Sequence, residues 1–294
     1  MKSYGETFRK IREEKGYSMK QVAEGIVSIS FLSKFERGDS DISLSLFVQL
    51  LDRLFLSFDE FEFLHLDHKT SEMERFFQAS NQAYLSRDLK SLRILKEEEL
   101  EKWRRTKLDP YRCNAIMIQV YEGIIKEVET TAREEDLDFL YHYLFKVEVW
   151  GYYELFLYNS TILLLQPEMV LHLSDIVYKN RKKVEDHKKL KDLMIRIFLN
   201  TLIFLTGGEN PDFLYQKECL RFFNYLEEID IPEEDLAARN EVIYLQGIYL
   251  LRIGQRKEGK EKIEESIERL QSLGAHQSAK YREDYYKLLK ERHL

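Results

Sequence analysis

Apolar residues recur at helical spacing along the chain, and the first 65 residues divide into short helical segments. The pattern predicts five helices at residues 6–14, 19–26, 30–37, 44–55 and 58–65. Gly16 is typical of a helix end, Ser18 of a helix start, and Gln21 completes a capping box with Ser18. The pattern therefore predicts a compact five-helix domain at the N-terminus.

The second and third predicted helices are joined by a tight turn at residues 27–29. Two short helices so joined are typical of a helix-turn-helix, whose second helix enters the major groove of DNA. That helix combines apolar and small polar positions, and its polar set is Ser28, Ser30, Ser33 and Lys34. Small hydroxyl side chains can approach base edges closely, and a lysine can reach a phosphate.

The residues that carry a family resemblance lie in these three helices: 8–12 (FRKIR), 17–18 (YS), 21–23 (QVA), 29–30 (IS), 32–33 (LS) and 35–38 (FERG). They resemble the Cro/C1-type helix-turn-helix. The resemblance implies that Glu36 and Arg37 hold the motif together rather than contact bases. It also implies DNA contacts by the polar residues of the first three helices, which we expect to be Arg9, Arg12, Lys15, Ser18, Gln21, Ser28, Ser30, Ser33 and Lys34.

The basic residues of the first helix allow two interpretations. Arg9, Arg12 and Lys15 either form a solvated face or contact DNA phosphates, and their common direction together with the motif favours phosphate contact.

The remaining residues predict a second, larger helical domain. Only 12 glycines and 4 prolines occur in 294 residues, which favours helices over strands. Each proline precedes an apolar helical pattern and is read as a helix start. We expect an all-α protein with a helix-turn-helix domain at 1–66, a polar linker at 67–72, and a domain at 73–294 that is built from helical repeats and serves sensing and dimerisation.

Residues 242–273 show the clearest repeat. Two amphipathic segments flank Gly254, and Gly247 and Gly259 stand where the two helices would approach. This hairpin resembles a tetratricopeptide repeat, and stacked helix pairs of that kind form a superhelix with a concave binding surface.

Five asparagines recur at intervals of 33, 45, 41 and 40 residues, which is the length of a helix-pair repeat: Asn81, Asn114, Asn159, Asn200 and Asn240. An amide both donates and accepts hydrogen bonds, so a row of them can hold the backbone of an extended peptide. Arg196 lies one helical turn before Asn200 and is the candidate for a peptide carboxylate. The alternatives are chance spacing for the asparagines and a surface charge for Arg196.

Charge and composition narrow the function. The net charge is −7, but residues 1–58 hold nine Lys/Arg against eight Asp/Glu, so the acidic charge belongs to the rest of the chain. No phosphate loop, nucleophile elbow, zinc pair or dinucleotide motif occurs, and the pair at His65 and His68 lacks further ligands. Two isolated cysteines and no leader favour a reduced, cytoplasmic protein. We expect no enzyme activity, cofactor or metal.

The architecture as a whole is similar to the Rgg-type regulators of Gram-positive bacteria. That resemblance implies a cytoplasmic homodimer that binds double-stranded promoter DNA and a short hydrophobic signalling peptide in quorum sensing, with the last helices forming part of the dimer. Apolar groove walls are expected at Leu155, Ile162, Leu163, Ile203 and Phe204, which could equally be core. The alternative function is a repeat scaffold whose N-terminal domain binds a protein partner rather than DNA.

Overall fold

In the computed structural model, residues 3–126, 133–207 and 215–293 are described, and these ranges contain α-helices but no β-strand. The helices are α1 Tyr4–Glu14, α2 Met19–Ala23, α3 Ile29–Glu36, α4 Leu44–Arg53, α5 Phe58–His65, α6 Glu72–Leu85, α7 Leu89–Thr106, α8 Asp109–Lys126, α9 Glu134–Lys146, α10 Tyr152–Thr161, α11 Pro167–Lys179, α12 Lys188–Thr206, α13 Gln216–Ile229, α14 Leu236–Arg252, α15 Arg256–Ser272 and α16 His276–His293. The predicted all-α class is confirmed.

The chain divides into two compact units between Asp88 and Leu89. The N-terminal unit contains α1–α6 and the C-terminal unit α7–α16. The predicted linker at 67–72 corresponds to the connection between α5 and α6. The division between the two compact units lies later, after α6, so α6 belongs to the N-terminal unit. The functional boundary at 67–72 stays a prediction.

The five helices predicted for the N-terminus all form, and each starts for the same local reason. A serine stands at every N-cap, and its side-chain oxygen accepts a hydrogen bond from a backbone N–H of the first turn: Ser3, Ser18, Ser28, Ser43 and Ser57. The helices enclose a core in which Phe8, Leu32, Leu50 and Phe61 are fully buried. The serine N-caps therefore determine where these five helices begin, and the apolar periodicity determines which of their faces are buried.

Two of these helices end two or more residues earlier than the pattern predicts. α2 stops at Ala23 rather than residue 26, because Gly25 adopts a left-handed backbone with φ of 76°. α4 stops at Arg53 rather than residue 55, and Phe55 has φ of 52°. Arg53 also donates to the carbonyl oxygens of Gln21 and Glu24, 3.1 Å each, and so satisfies carbonyls at the end of α2.

The C-terminal unit consists of packed helix pairs. α7 packs against α8 and α14 against α15, while α8, α10, α12 and α14 contact one another in that order. The predicted hairpin at 242–273 is confirmed as α14 and α15, with Gly254 between them at φ of 86°. A Cβ atom on Gly247 would lie 2.9 Å from the carbonyl oxygen of Gly259, so these glycines permit the close approach.

Of the three prolines that the structure describes, two lie in the first turn of a helix. Pro167 opens α11 and Pro110 is the second residue of α8. Pro232 does not start a helix: α14 begins at Leu236, where the Asp235 side chain caps the backbone N–H of Ala238. The capping carboxylate outweighs the proline as a start signal. Pro211 lies outside the described residues.

Candidate functional site

Arg12 and Glu36 join α1 to α3 through a buried ion pair. The Nε and Nη2 atoms of Arg12 donate to the two carboxylate oxygens of Glu36 at 2.6 and 2.7 Å, and Nη1 donates to the carbonyl oxygen of Tyr17 at 2.8 Å. The side chains are only 7% and 3% exposed. The hydrogen bond to Glu36 raises the pKa of Arg12, so the guanidinium stays charged.

This geometry corrects the sequence prediction for Arg12. The Arg12 guanidinium is nearly buried and donates four of its five N–H groups to Glu36, Glu13 and the Tyr17 carbonyl oxygen, so it is not placed to bind a phosphate. Glu36 holds the motif together as the resemblance implies. Arg37 does not: its side chain is half exposed and donates to Asp39 and to the Ser33 hydroxyl.

The start of α3 presents small hydroxyl groups to solvent. Ser28 and Ser30 are exposed, and their hydroxyl oxygens lie 3.1 Å apart. The Ser28 oxygen also accepts the backbone N–H of Phe31. Further along the helix, Lys34 is exposed, and the partly exposed Ser33 accepts a hydrogen bond from Arg37 at 2.6 Å. The structure brings these four predicted residues together on one short helix.

Apart from the buried Arg12, the other predicted DNA contacts lie around α1 and α2, and all are exposed. Ser18 and Gln21 form the predicted capping box, in which the Gln21 Oε1 accepts the Ser18 backbone N–H at 2.8 Å. Arg9 pairs with Glu13 at 2.9 Å on the surface of α1, and Lys15 follows the end of that helix. Exposed ion pairs of this kind are weak, so Arg9 can exchange its partner for a phosphate.

The five asparagines occupy three different environments. Asn81 is exposed on α6 in the N-terminal unit. Asn114 is buried, donates to Glu99 at 2.6 Å and accepts from the Tyr153 hydroxyl. Asn240 is buried and donates to the Ser266 hydroxyl and backbone oxygens. The predicted peptide contacts of Asn114 and Asn240 are therefore corrected, because these amides link neighbouring helices inside the unit.

Asn159 and Asn200 form a pair across α10 and α12. The Nδ2 group of Asn200 donates to the Oδ1 atom of Asn159 at 2.9 Å, and both side chains are partly exposed. Arg196 is exposed one turn before Asn200. Within the described chain, the bond leaves the Nδ2 group of Asn159 and the Oδ1 atom of Asn200 available, so the pair offers one donor and one acceptor.

The apolar walls expected around this pair are only partly at the surface. Leu155 and Ile162 are each 2% exposed and belong to the core. Leu163 is exposed, and Ile203 and Phe204 are partly exposed, so these three can line a surface next to the pair.

Other reactive groups are internal. His65 is buried with Nδ1 2.9 Å from the Thr7 hydroxyl. Burial raises the pKa of both thiols, that of Cys219 to about 12, so neither is a nucleophile at neutral pH.

Among the described residues, no cluster of three His, Cys, Asp or Glu side chains could hold a metal ion. No helix in the same ranges is long and apolar enough to span a bilayer.

Comparison with known proteins connects both units to transcription regulators. The model of the C-terminal domain of the HTH-type transcriptional regulator Rgg matches residues 92–284, and a helix-turn-helix model matches residues 8–61. The SHP pheromone receptor Rgg2 of Streptococcus dysgalactiae is similar in structure, with 25% identity, a TM-score of 0.79 and coverage of 96% of this chain and 98% of that one.

Two further structures share the fold at lower identity. A transcriptional regulator from Listeria monocytogenes EGD-e has 21% identity, a TM-score of 0.81 and coverage of 98% and 97% of the two chains. PrgX in its complex with cCF10 has 17% identity, a TM-score of 0.73 and coverage of 100% and 94%.

Proposed function

Because the chain belongs to the Rgg family of helix-turn-helix transcriptional regulators, we propose that its C-terminal unit binds a short hydrophobic signalling peptide that controls regulation at promoter DNA. The observation that carries this proposal is the order of the two matches: a helix-turn-helix precedes an Rgg C-terminal domain, and Rgg2, a pheromone receptor, aligns over nearly the full length. Such a protein acts in the cytoplasm, where its operator is.

The N-terminal unit offers the chemistry for DNA contact. Ser28, at the N-cap of α3, and Ser30 and Ser33 on that helix have small side chains that let the helix approach base edges closely. Lys34 supplies a positive charge for the phosphate backbone. Arg9, Lys15, Ser18 and Gln21 are proposed as flanking contacts from α1 and α2. The buried Arg12 is excluded from this set. We assign the protein as a homodimer, because two recognition helices double the phosphate contacts of a unit with little net charge.

The Asn159–Asn200 pair is the proposed centre of the peptide site. An extended peptide exposes alternating N–H and C=O groups, and the pair presents one acceptor and one donor side by side. Leu163, Ile203 and Phe204 supply nearby apolar surface for hydrophobic side chains. Arg196 is proposed to bind a carboxylate of the peptide.

Replacing Asn200 with alanine tests this assignment. Because the amide is partly exposed, we expect peptide affinity to fall about tenfold while the melting temperature stays within about a degree. The probes are fluorescein-labelled synthetic copies of the short hydrophobic peptides encoded beside the gene, and the readout is fluorescence anisotropy. Asn224→Ala is the matched control, since Asn224 is exposed on α13 of the same unit. Unchanged affinity together with a melting temperature lowered by several degrees would mean that the amide is structural.

A further inference from the structure

Three buried hydroxyl groups connect α10, α11 and α12 directly behind the asparagine pair. The Tyr158 and Ser174 hydroxyl oxygens lie 2.8 Å apart, and so do those of Ser174 and Thr201. All three residues are fully buried. We call this set, Tyr158, Ser174 and Thr201, the hydroxyl relay.

The relay stands next to the asparagine pair in both helices that form it. Tyr158 precedes Asn159 on α10, and Thr201 follows Asn200 on α12. Successive residues on a helix point about 100° apart, so the relay residues enter the core while their neighbours stay near the surface. Whatever fixes Tyr158 relative to Thr201 also fixes Asn159 relative to Asn200.

Apolar packing alone fixes such a register poorly. The hydrophobic effect has no direction, and a core of the right volume and pattern can lose its unique arrangement before it loses stability. A hydrogen bond weakens steeply when its atoms separate or tilt, so two successive bonds at 2.8 Å specify both the height and the rotation of α10 against α12.

The relay also binds to the backbone at each end. Tyr158 donates to the carbonyl oxygen of Val170 at 2.9 Å, and Thr201 contacts that of Ile197 at 2.8 Å. Three hydroxyl protons can fill only three of these four contacts. Both hydroxyl–hydroxyl bonds form when the bonds run in one direction along the chain, and one terminal carbonyl then receives no hydroxyl proton. Since each terminal carbonyl also belongs to a helix and accepts a backbone N–H there, either direction leaves no buried group without a partner.

We propose that the hydroxyl relay is the positioning element of the peptide site: it holds Asn159 and Asn200 at hydrogen-bond distance before any peptide is present. Tyr158, Ser174 and Thr201 are accordingly positioning residues. They need not touch the peptide. The consequence for peptide affinity rests on the proposed function, whereas the effect on the asparagine pair does not.

Thr201 and Thr206 provide a matched pair of variants. Both are fully buried on α12, and each contacts the carbonyl oxygen four residues earlier, at 2.8 and 2.7 Å. Only Thr201 contacts the hydroxyl of Ser174. Thr201→Val and Thr206→Val therefore each replace a buried hydroxyl of α12 with a methyl group, and only Thr201→Val also removes a contact of the hydroxyl relay.

The decisive measurement is made on the full-length, peptide-free protein labelled with ¹⁵N at asparagine. The side-chain NH₂ signals of Asn200 report its bond to Asn159, and Asn159→Ala gives their position when that bond is lost. We expect Thr201→Val to move these signals most of the way to the Asn159→Ala position and Thr206→Val to leave them unmoved. Equal signals in the two threonine variants would overturn the proposal.

Ser174→Ala is a second variant that keeps the test valid if Thr201→Val folds badly. After this substitution, Tyr158 and Thr201 each retain their own backbone carbonyl, so no buried hydroxyl is orphaned. We expect the Asn200 signals to move as in Thr201→Val, with a melting temperature close to that of Thr206→Val. An unmoved Asn200 in a folded Ser174→Ala protein would contradict the proposal.

Peptide affinity then separates this proposal from the assigned function. With the fluorescein-labelled peptides described above, Thr201→Val and Ser174→Ala should lower affinity about five- to tenfold and Thr206→Val less than about twofold. Shifted Asn200 signals with no peptide bound by the wild-type protein would support the relay and overturn the peptide function. Peptide binding that is equal in all three variants would overturn the relay as a positioning element.

Discussion

Replacing Arg12 with alanine is expected to unfold the helix-turn-helix core, not to remove a DNA contact. The substitution leaves the Glu36 carboxylate buried without the guanidinium that donates to both of its oxygens. Removing one partner of a buried ion pair costs about 3–5 kcal/mol, a large share of the stability of a small domain. DNA binding would then disappear because α3 is no longer held against α1.

Hydrogen exchange on the full-length protein checks this result, because it reads the backbone amides of α1–α5 separately from the C-terminal unit. Arg9→Ala is the control: its ion pair with Glu13 lies on the same helix but is half exposed, so its loss should cost less than about 1 kcal/mol. The double variant Arg12→Met with Glu36→Leu should regain most of the protection. If Arg12→Ala kept wild-type protection and bound all duplexes more weakly, Arg12 would contact phosphate after all.

Reversing the charge of Lys34 is expected to weaken DNA binding at least tenfold without loss of stability. Lys34 is exposed on α3, so the fold does not depend on it. If it contacts a phosphate in each protomer, Lys34→Glu removes two contacts from the dimer. The slope of log affinity against log salt should then become shallower by about 2, and the loss should be similar for specific and random duplexes.

Lys182→Glu supplies the control for net charge. Lys182 is also exposed but belongs to the C-terminal unit, so the variant has the same total charge as Lys34→Glu. Fluorescence anisotropy with labelled duplexes over a salt series compares the two. Equal losses in both variants would mean that the acidity of the whole protein, rather than a contact from α3, governs affinity.

The fold was largely predictable because its signals are local. Serine N-caps, glycine stops and apolar periodicity act within a few residues, and they place the first five helices to within a few positions. Gly25 is a local signal for the early end of α2, whereas the Arg53 side chain that satisfies the carbonyls there comes from α4 and was not predictable. Tertiary contacts of this kind leave no mark in the sequence around α2.

Part of the candidate site was readable, and one signal was overlooked. Arg12 lies one helical turn after Phe8, a fully buried residue of α1, so its position already indicated the interior. The partners of the asparagines were not readable. Asn240 bonds to Ser266 and Asn114 to Tyr153, at separations of 26 and 39 residues, and helix packing alone decides such pairs. The regular spacing of these asparagines therefore does not predict whether each amide faces the core or the surface.

Fluorescence anisotropy of labelled DNA from upstream of the gene, over a salt series and with the synthetic hydrophobic peptides present or absent, measures whether this protein is a peptide-controlled DNA-binding regulator. We expect affinity that falls steeply as salt rises, and a peptide that either shifts this affinity or binds the protein–DNA complex without displacing it. Failure to bind this or any genomic duplex at low salt would contradict this expectation and favour a repeat scaffold that binds a protein partner.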